Sequence, residues 1–424
     1  MARMQGVAIA IALAVFVPVA ASAQPVISPP IPLTGVPVEK PVVAKSENGL
    51  SVRVVPMVSG LSHPTGMVFL PDGHTILIVE RPGRLRVVKD GVLDPTPVAG
   101  VPAVHNLSLS GIHDILLHPD FASNHSLYLS YSKARDEKTT TLAVARGRFE
   151  QGRLTEVKDI LVAEAWGSPL GTYGGRMIFG PDGLLYVAVG DRDGNTRDDK
   201  SPARMEAQSL AHHTGKILRL GDDGSIPPDN PFVKDPAAKG EIYTYGHRNP
   251  YGLAFHPQTG EFWASEFGAA GGDELNLIIP GHNYGWPVVS LGRNYTGTLV
   301  SDQPWYRPGM DMPFFHWNPQ INPSNMLFYT GKKFPGLTGS LIVAGAGTKR
   351  IVWLRSSLGM FRQVDAMLRE LDVRFRDLRQ GPDELLYVLT EGRSRGNQDT
   401  DGMLLRIEPV AATDSSHPAR EQER

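Results

Sequence analysis

Apolar and polar positions alternate with the two-residue period of β-structure through most of the chain, in short runs punctuated by one recurring turn. Val68-Phe69-Leu70 leads into Pro71-Asp72-Gly73, and an alternating run over 75–79 follows. The same order returns as Ile115-Leu116-Leu117 with Pro119-Asp120 before 126–131, and as Met177-Ile178-Phe179 with Pro181-Asp182-Gly183 before 184–189. It returns again as Leu253-Ala254-Phe255 with Pro257 before 261–265, and near the end with Pro382-Asp383 before 385–389. Proline presets the entry to each turn, and aspartate and glycine supply its special backbone angles. The interval between the last two prolines is about twice the others, and a degenerate unit fits inside it over 339–344 and 351–354. Six strand–turn–strand units at this period predict an all-β fold, a six-bladed β-propeller of four-stranded antiparallel blades over residues 50–410. Stacked β-helix repeats have a shorter period. A helix is expected only around 363–370.

The flanks read differently. Arg3, the apolar run over 7–20 and the small residues Ala21-Ser22-Ala23 form a secretory signal over 1–23. The apolar run is short for a membrane anchor, which needs about 20 residues. A periplasmic or secreted protein with no transmembrane anchor after cleavage is therefore expected. Residues 24–49, proline-rich as far as Pro41, read as an extended linker, and 411–424 as a polar tail. No cysteine occurs in the 424 residues, so an exported fold must rest on its core or on bound ions. A formal net charge of −2 and the lack of a Lys/Arg stripe argue against nucleic acid as a partner.

The densest chemistry lies over 241–287. It contains Gly-His-Arg-Asn-Pro-Tyr-Gly (246–252), Gly-Gly-Asp-Glu-Leu-Asn (271–276) and Asn-Tyr-Gly-Trp-Pro (283–287). With Tyr-Gly-Gly-Arg (173–176) and Arg-Phe-Arg-Asp (374–377), in this order, the chain resembles the soluble aldose sugar dehydrogenases that use pyrroloquinoline quinone (PQQ), the glucose/sorbosone dehydrogenase family. The resemblance runs from about residue 50 to residue 409 and implies a six-bladed propeller with the cofactor at one end of the central axis.

PQQ carries three carboxylates and an ortho-quinone, so its cradle needs cations and donors. Arg374 and Arg376 stand two apart, on one face of a strand, and guanidinium forks suit carboxylates. The resemblance assigns Arg248 and Asn249 to the reactive quinone edge and Tyr295 to a further cofactor contact; its cofactor lysine falls near Gly347, and Lys349, two residues on, is the candidate to replace it. It also implies calcium: one ion on the carbonyls of Gly268 and Ala269, a second held by Glu274 and Tyr284. Oxygen ligands suit such a hard cation. Taken singly, these arginines would be read as surface ion pairs, Tyr295 as packing and Glu274 as a turn carboxylate.

The chain departs from the family at the substrate edge. The family's general base, a histidine four residues before the Arg of Gly-Gly-Arg, falls on Thr172. A glutamine near the sugar falls on Leu109. His113, His212, His213 and Tyr173 are the candidate replacement bases. Two functional readings follow. One is a PQQ-dependent dehydrogenase for an aldose sugar or related alcohol, a monomer or dimer passing electrons to an acceptor the sequence does not name. The other is a non-catalytic propeller that binds a sugar, PQQ or a protein. A metal-dependent lactonase ranks lower, because it has no role for the paired arginines.

Overall fold

The computed structural model describes residues 38–193, 202–357, 360–391 and 400–410. The expected signal segment and polar tail, and the linker up to residue 37, lie outside the described residues.

Six antiparallel sheets follow one another around a common axis, as the repeat predicts. Each opens on an inner strand: Pro64–Phe69, Ile112–Leu117, Gly174–Phe179, Pro250–Phe255, Pro323–Phe328 and Arg374–Gln380. Each inner strand touches the next, and the last touches the first, so the ring is closed. The Pro-Asp-type turns join inner strand to second strand in five blades, and the degenerate unit supplies Leu341–Gly345 and Arg350–Ser357 of the fifth. Apolar side chains from both faces of the strands fill the spaces between blades. Leu77, Leu129, Val187, Val343 and Val388 are all fully buried there.

Two expectations need correction. The sixth blade draws its inner three strands from the end of the chain and its outer strands from the beginning: Ser51–Leu61 pairs with Gly402–Pro409. Val42–Lys45 adds a fifth strand by pairing back on Ser51–Leu61, so residues expected to be linker are part of a blade. The turn between these two strands is tied down by Ser46, whose hydroxyl donates to Asp365 across 2.6 Å. The helix expected around 363–370 is instead the edge strand Met360–Met367, followed by a single 3₁₀ turn, Arg369–Leu371. Pairing with Arg350–Ser357 along its whole length overrides the local helical pattern. Among the described residues no helix is long and apolar enough to cross a membrane.

Candidate functional site

The strand pairing brings chemistry to one end of the axis. In five blades the first residue of the inner strand is paired with the last of its neighbour: Pro64 with Glu80, Gly174 with Val189, Pro250 with Glu266, Pro323 with Gly345, Arg374 with Glu391; in the second blade Ile112 pairs with Tyr131, inside the longer strand Ser126–Asp136. The starts of six inner strands and the ends of five second strands therefore share one face. A register shift then interrupts each of these pairs just inside that face. The bulged residues are Thr65, His113, Gly175 with Arg176, Tyr251, Ser324 and Arg376. A bulge re-aims a side chain, and here it recurs in all six blades around the axis. Gly175 shows how tight the packing is. At φ 90°, a Cβ there would sit 2.5 Å from the Cβ of His113, so no other residue fits.

The axis is plugged below this face. Arg176 lies 2.8 Å from Asp114 and 3.3 Å from Asp377, and donates to the carbonyls of Tyr251 and Ser324. Arg379 closes the cluster onto the same two aspartates at 3.2 and 3.1 Å. Two guanidinium groups and two carboxylates balance, so the arginine of Gly-Gly-Arg serves as the floor of the site.

Above the floor positive charge is in excess. Arg81, Arg374 and Arg376 surround one carboxylate, Glu391, with His63 3.5 Å from it. Burial alone would push Glu391 up; Arg374, Arg376, His63 and Arg81 outweigh it and hold the carboxyl well below the usual range. Arg376, 9% exposed, has its guanidinium 5.5 Å above the ring of Tyr251 and donates to that hydroxyl at 3.1 Å. Arg81 keeps a buried Nε with no hydrogen-bond partner. Arg374 stands 2.9 Å from Glu391, at an angle that leaves its Nε without a hydrogen bond. Three cations around one anion, with buried donors unmet, fit a polyanionic ligand.

Arg248 faces the axis from the next sector. Its backbone N–H donates to Glu266, and Nη1 donates to the carbonyls of Phe267 and Gly268 at 3.1 and 2.9 Å. Trp286 lies 5.4 Å beneath the guanidinium, and the half-exposed Tyr295 makes a side-chain hydrogen bond with it. Arg248 Nε is buried and unmet. Asn249 uses its side-chain oxygen to accept the Gly174 N–H at 2.9 Å, tying this sector to the Gly-Gly-Arg strand. Lys349 is 5% exposed and paired with Asp372 at 2.5 Å.

Thr172 is half-buried, and its hydroxyl donates to Asp191 at 2.5 Å. His113 is stacked on Tyr173 at 4.6 Å, with Nε2 2.8 Å from the Ser132 hydroxyl. Burial, reinforced by Arg192, Arg81 and Arg376, pushes its imidazole down to about 3. Such a ring is neutral but a weak proton acceptor at neutral pH. The shift also has a thermodynamic consequence. The fold favours neutral His113, so the stabilisation is fully present above about pH 6.5 and is lost as pH falls towards 3. An NMR titration of the His113 ring is expected to show no protonation between about pH 5 and 8. His213 lies elsewhere, accepting the Glu164 N–H 3.5 Å from Glu241, and His212 is exposed. Leu109, in the position of the sugar-side glutamine, is 46% exposed.

The expected calcium ligands gather beside Arg248. Glu266 and Glu274 are directly paired across two strands, Glu266 buried and Glu274 half-buried. A cavity of about 10 Å³, room for about one ion, is lined by both, with Gly246, Gly268, Tyr284 and Trp286. Burial first, then the Glu266 charge, raises Glu274 well above the carboxylate range. Asn276 bridges the pair, while His247 approaches Glu266 at 3.1 Å and stacks on Tyr284. Two directly paired carboxylates lining a one-ion cavity fit a hard cation. The Tyr284 hydroxyl is committed, donating to the Leu277 carbonyl and accepting from Ile279. The carbonyls of Gly268 and Ala269 each accept one N–H, from Arg248 and Arg293, which leaves each a second lone pair.

Sequence reasoning missed Arg81, Glu391, Asp191, Arg192 and Glu266. All but Arg192 sit at or just beyond the end of a second strand, and the six-fold pairing that unites those ends is the signal that could have found them.

The Glucose / Sorbosone dehydrogenase family model matches residues 61–406. An aldose sugar dehydrogenase of Escherichia coli is 35% identical, covering 85% of this chain and 93% of its own. A crystal structure of the soluble E. coli aldose sugar dehydrogenase in its apo-form superposes with a TM-score of 0.76 at 34% identity, over 85% of this chain and 100% of that one. A PQQ-bound aldose sugar dehydrogenase from Streptomyces coelicolor superposes at 0.67 and 27% identity, over 88% and 99%.

Proposed function

The chain belongs to the glucose/sorbosone dehydrogenase family, and from that premise we propose that it is a PQQ- and calcium-dependent dehydrogenase oxidising an aldose sugar or related alcohol. The observation that carries this reading is the excess of positive charge at the axis among the described residues: Arg81, Arg374 and Arg376 gather on the single carboxylate of Glu391. A propeller closed by a neutral cluster has no structural need for it, and a ligand with several carboxylates has.

When bound, PQQ supplies an ortho-quinone that would accept a hydride, one proton with two electrons, from the substrate carbon. The protein's own groups do the rest. Arg81, Arg374 and Arg376 bind and orient carboxylates. Arg248, clamped by two carbonyls and Trp286, presents a fixed cation where negative charge develops on oxygen, at no cost in reorganisation. Asn249 fixes the Gly174 turn against that sector, Tyr295 bonds Arg248 there, and Lys349, paired with Asp372, would supply a further cofactor contact. Glu266 and Glu274 would hold one calcium ion and the carbonyls of Gly268 and Ala269 another, adding positive charge at the same edge. The apolar segment ahead of Ala21-Ser22-Ala23 supports export to the periplasm or beyond.

The purified chain, given PQQ and Ca²⁺, is expected to reduce an artificial dye in the presence of an aldose. Inactivity with every aldose, despite bound PQQ, would favour a non-catalytic binding protein. Calcium should also raise the melting temperature of the apo-protein by a few degrees, because it binds the native state alone. Glu266→Gln with Glu274→Gln should abolish that gain. An unchanged melting temperature on chelation would remove the ion from the Glu266–Glu274 pair.

A further inference from the structure

We propose that Asp191 is the terminal proton acceptor of the reaction and that the Thr172 hydroxyl relays the proton to it. The inference rests on the dehydrogenase reading above, and concerns how this chain works without the family's histidine.

Four observations carry it. The Thr172 hydroxyl donates to Asp191 Oδ1 at 2.5 Å, the length of a charge-assisted bond. Asp191 is itself fully buried, and its other contacts are occupied: the Trp286 indole N–H holds Oδ2 at 2.8 Å, and the Asp193 N–H reaches Oδ1 at 3.1 Å. Thr172 is half-buried and Asp191 fully buried, so the pair runs from a partly accessible residue to one that substrate cannot touch. The pair stands beside Arg248: Asp191 N–H donates to the Arg248 carbonyl at 2.7 Å, and the guanidinium lies within electrostatic reach of the carboxylate.

A threonine hydroxyl alone is far too weak a base at neutral pH. A hydroxyl that hands on its own proton as it receives another need not be basic; the basicity is that of the group behind it. Burial pushes Asp191 up and the nearby Asp193 carboxylate adds to this, against Arg248 and the Thr172 bond. Asp193 is in turn paired with Arg204 at 2.7 Å. The substrate C–H bond would break with its electron pair passing to the quinone that PQQ would supply as oxidant. The substrate O–H proton passes to Thr172 Oγ while the Thr172 proton passes to Asp191 Oδ1. The substrate C=O forms, and Asp191 ends as the neutral acid.

Thr172→Val keeps the shape and removes the hydroxyl; Thr172→Ser keeps the hydroxyl; Asp191→Asn keeps the shape and removes the acceptor. The expected result is a fall in kcat of roughly 10²–10⁴ for Thr172→Val and for Asp191→Asn, with PQQ affinity held within a few-fold. Thr172→Ser should recover most of the loss, and the double change Thr172→Val with Asp191→Asn should be no worse than the poorer single change. A second readout needs no turnover. In the apo-protein the Trp286 fluorescence should follow the ionisation of Asp191 as pH is varied, and that titration should vanish in Asp191→Asn and in Trp286→Phe. Undiminished kcat in Thr172→Val, or equal loss in Thr172→Val and Thr172→Ser, would overturn the relay and leave the dehydrogenase reading standing. A wild type that binds PQQ but turns over no aldose would overturn both, and a wild type that binds no PQQ would remove the cofactor itself.

Discussion

Replacing Arg374 and Arg376 together by alanine is expected to weaken PQQ binding by about two to four decades. A hydrogen bond to a charged group contributes roughly 1.5–3 kcal/mol, and two would be lost. The two arginines should not contribute equally. Arg374 already stands 2.9 Å from Glu391, whereas Arg376 has one neutral hydrogen-bond partner, the Tyr251 hydroxyl. Arg376→Ala alone should therefore cost more than Arg374→Ala. The substitutions also leave Glu391 with Arg81 and His63, so the fold keeps a counter-charge and the loss should fall on binding. Fluorescence titration of the apo-protein with PQQ measures this directly. Wild-type affinity in the double variant would move the cofactor away from the axis.

Arg248→Ala is expected to lower turnover by roughly 10²–10³, the usual cost of removing one preorganised donor from developing negative charge. The argument rests on how firmly the guanidinium is held: two backbone carbonyls accept from Nη1, Trp286 lies beneath, and Tyr295 bonds it from the rim. Lysine cannot reproduce a planar group held in this way, so Arg248→Lys should recover little. Steady-state kinetics at saturating PQQ should show the loss in kcat. An unchanged kcat with weakened PQQ binding would make Arg248 a binding group alone.

The blades were legible because each carries the same local instruction. Alternating strands need a turn, and Pro71, Pro119, Pro181, Pro257 and Pro382 mark five of six. Local pattern failed where pairing partners are remote. Val42–Lys45 looked like the end of a proline-rich linker because its partner strand closes the ring with the far end of the chain. Met360–Met367 looked helical because the edge position that makes it a strand is a tertiary fact. The same limit governs the site. Arg374 and Arg376 stand out through the family motif Arg-Phe-Arg-Asp and their two-residue spacing, but the bulge between Phe375 and Asp377 breaks simple alternation, and their shared target is Glu391, a residue from the paired strand. Thr172 read as a missing base, because the aspartate it touches lies nineteen residues on, at the end of the neighbouring strand. Glu274 stood out beside its glycine turn, while Glu266, its partner across the sheet, was hidden in an apolar run.

The most direct test of the account is an anaerobic titration of the calcium-loaded protein with PQQ, followed by addition of an aldose while the quinone absorbance is recorded. The account predicts saturation at one PQQ per chain and conversion of the bound quinone to its reduced form when the sugar is added. Failure to saturate, or a bound quinone that every aldose leaves oxidised, would contradict it.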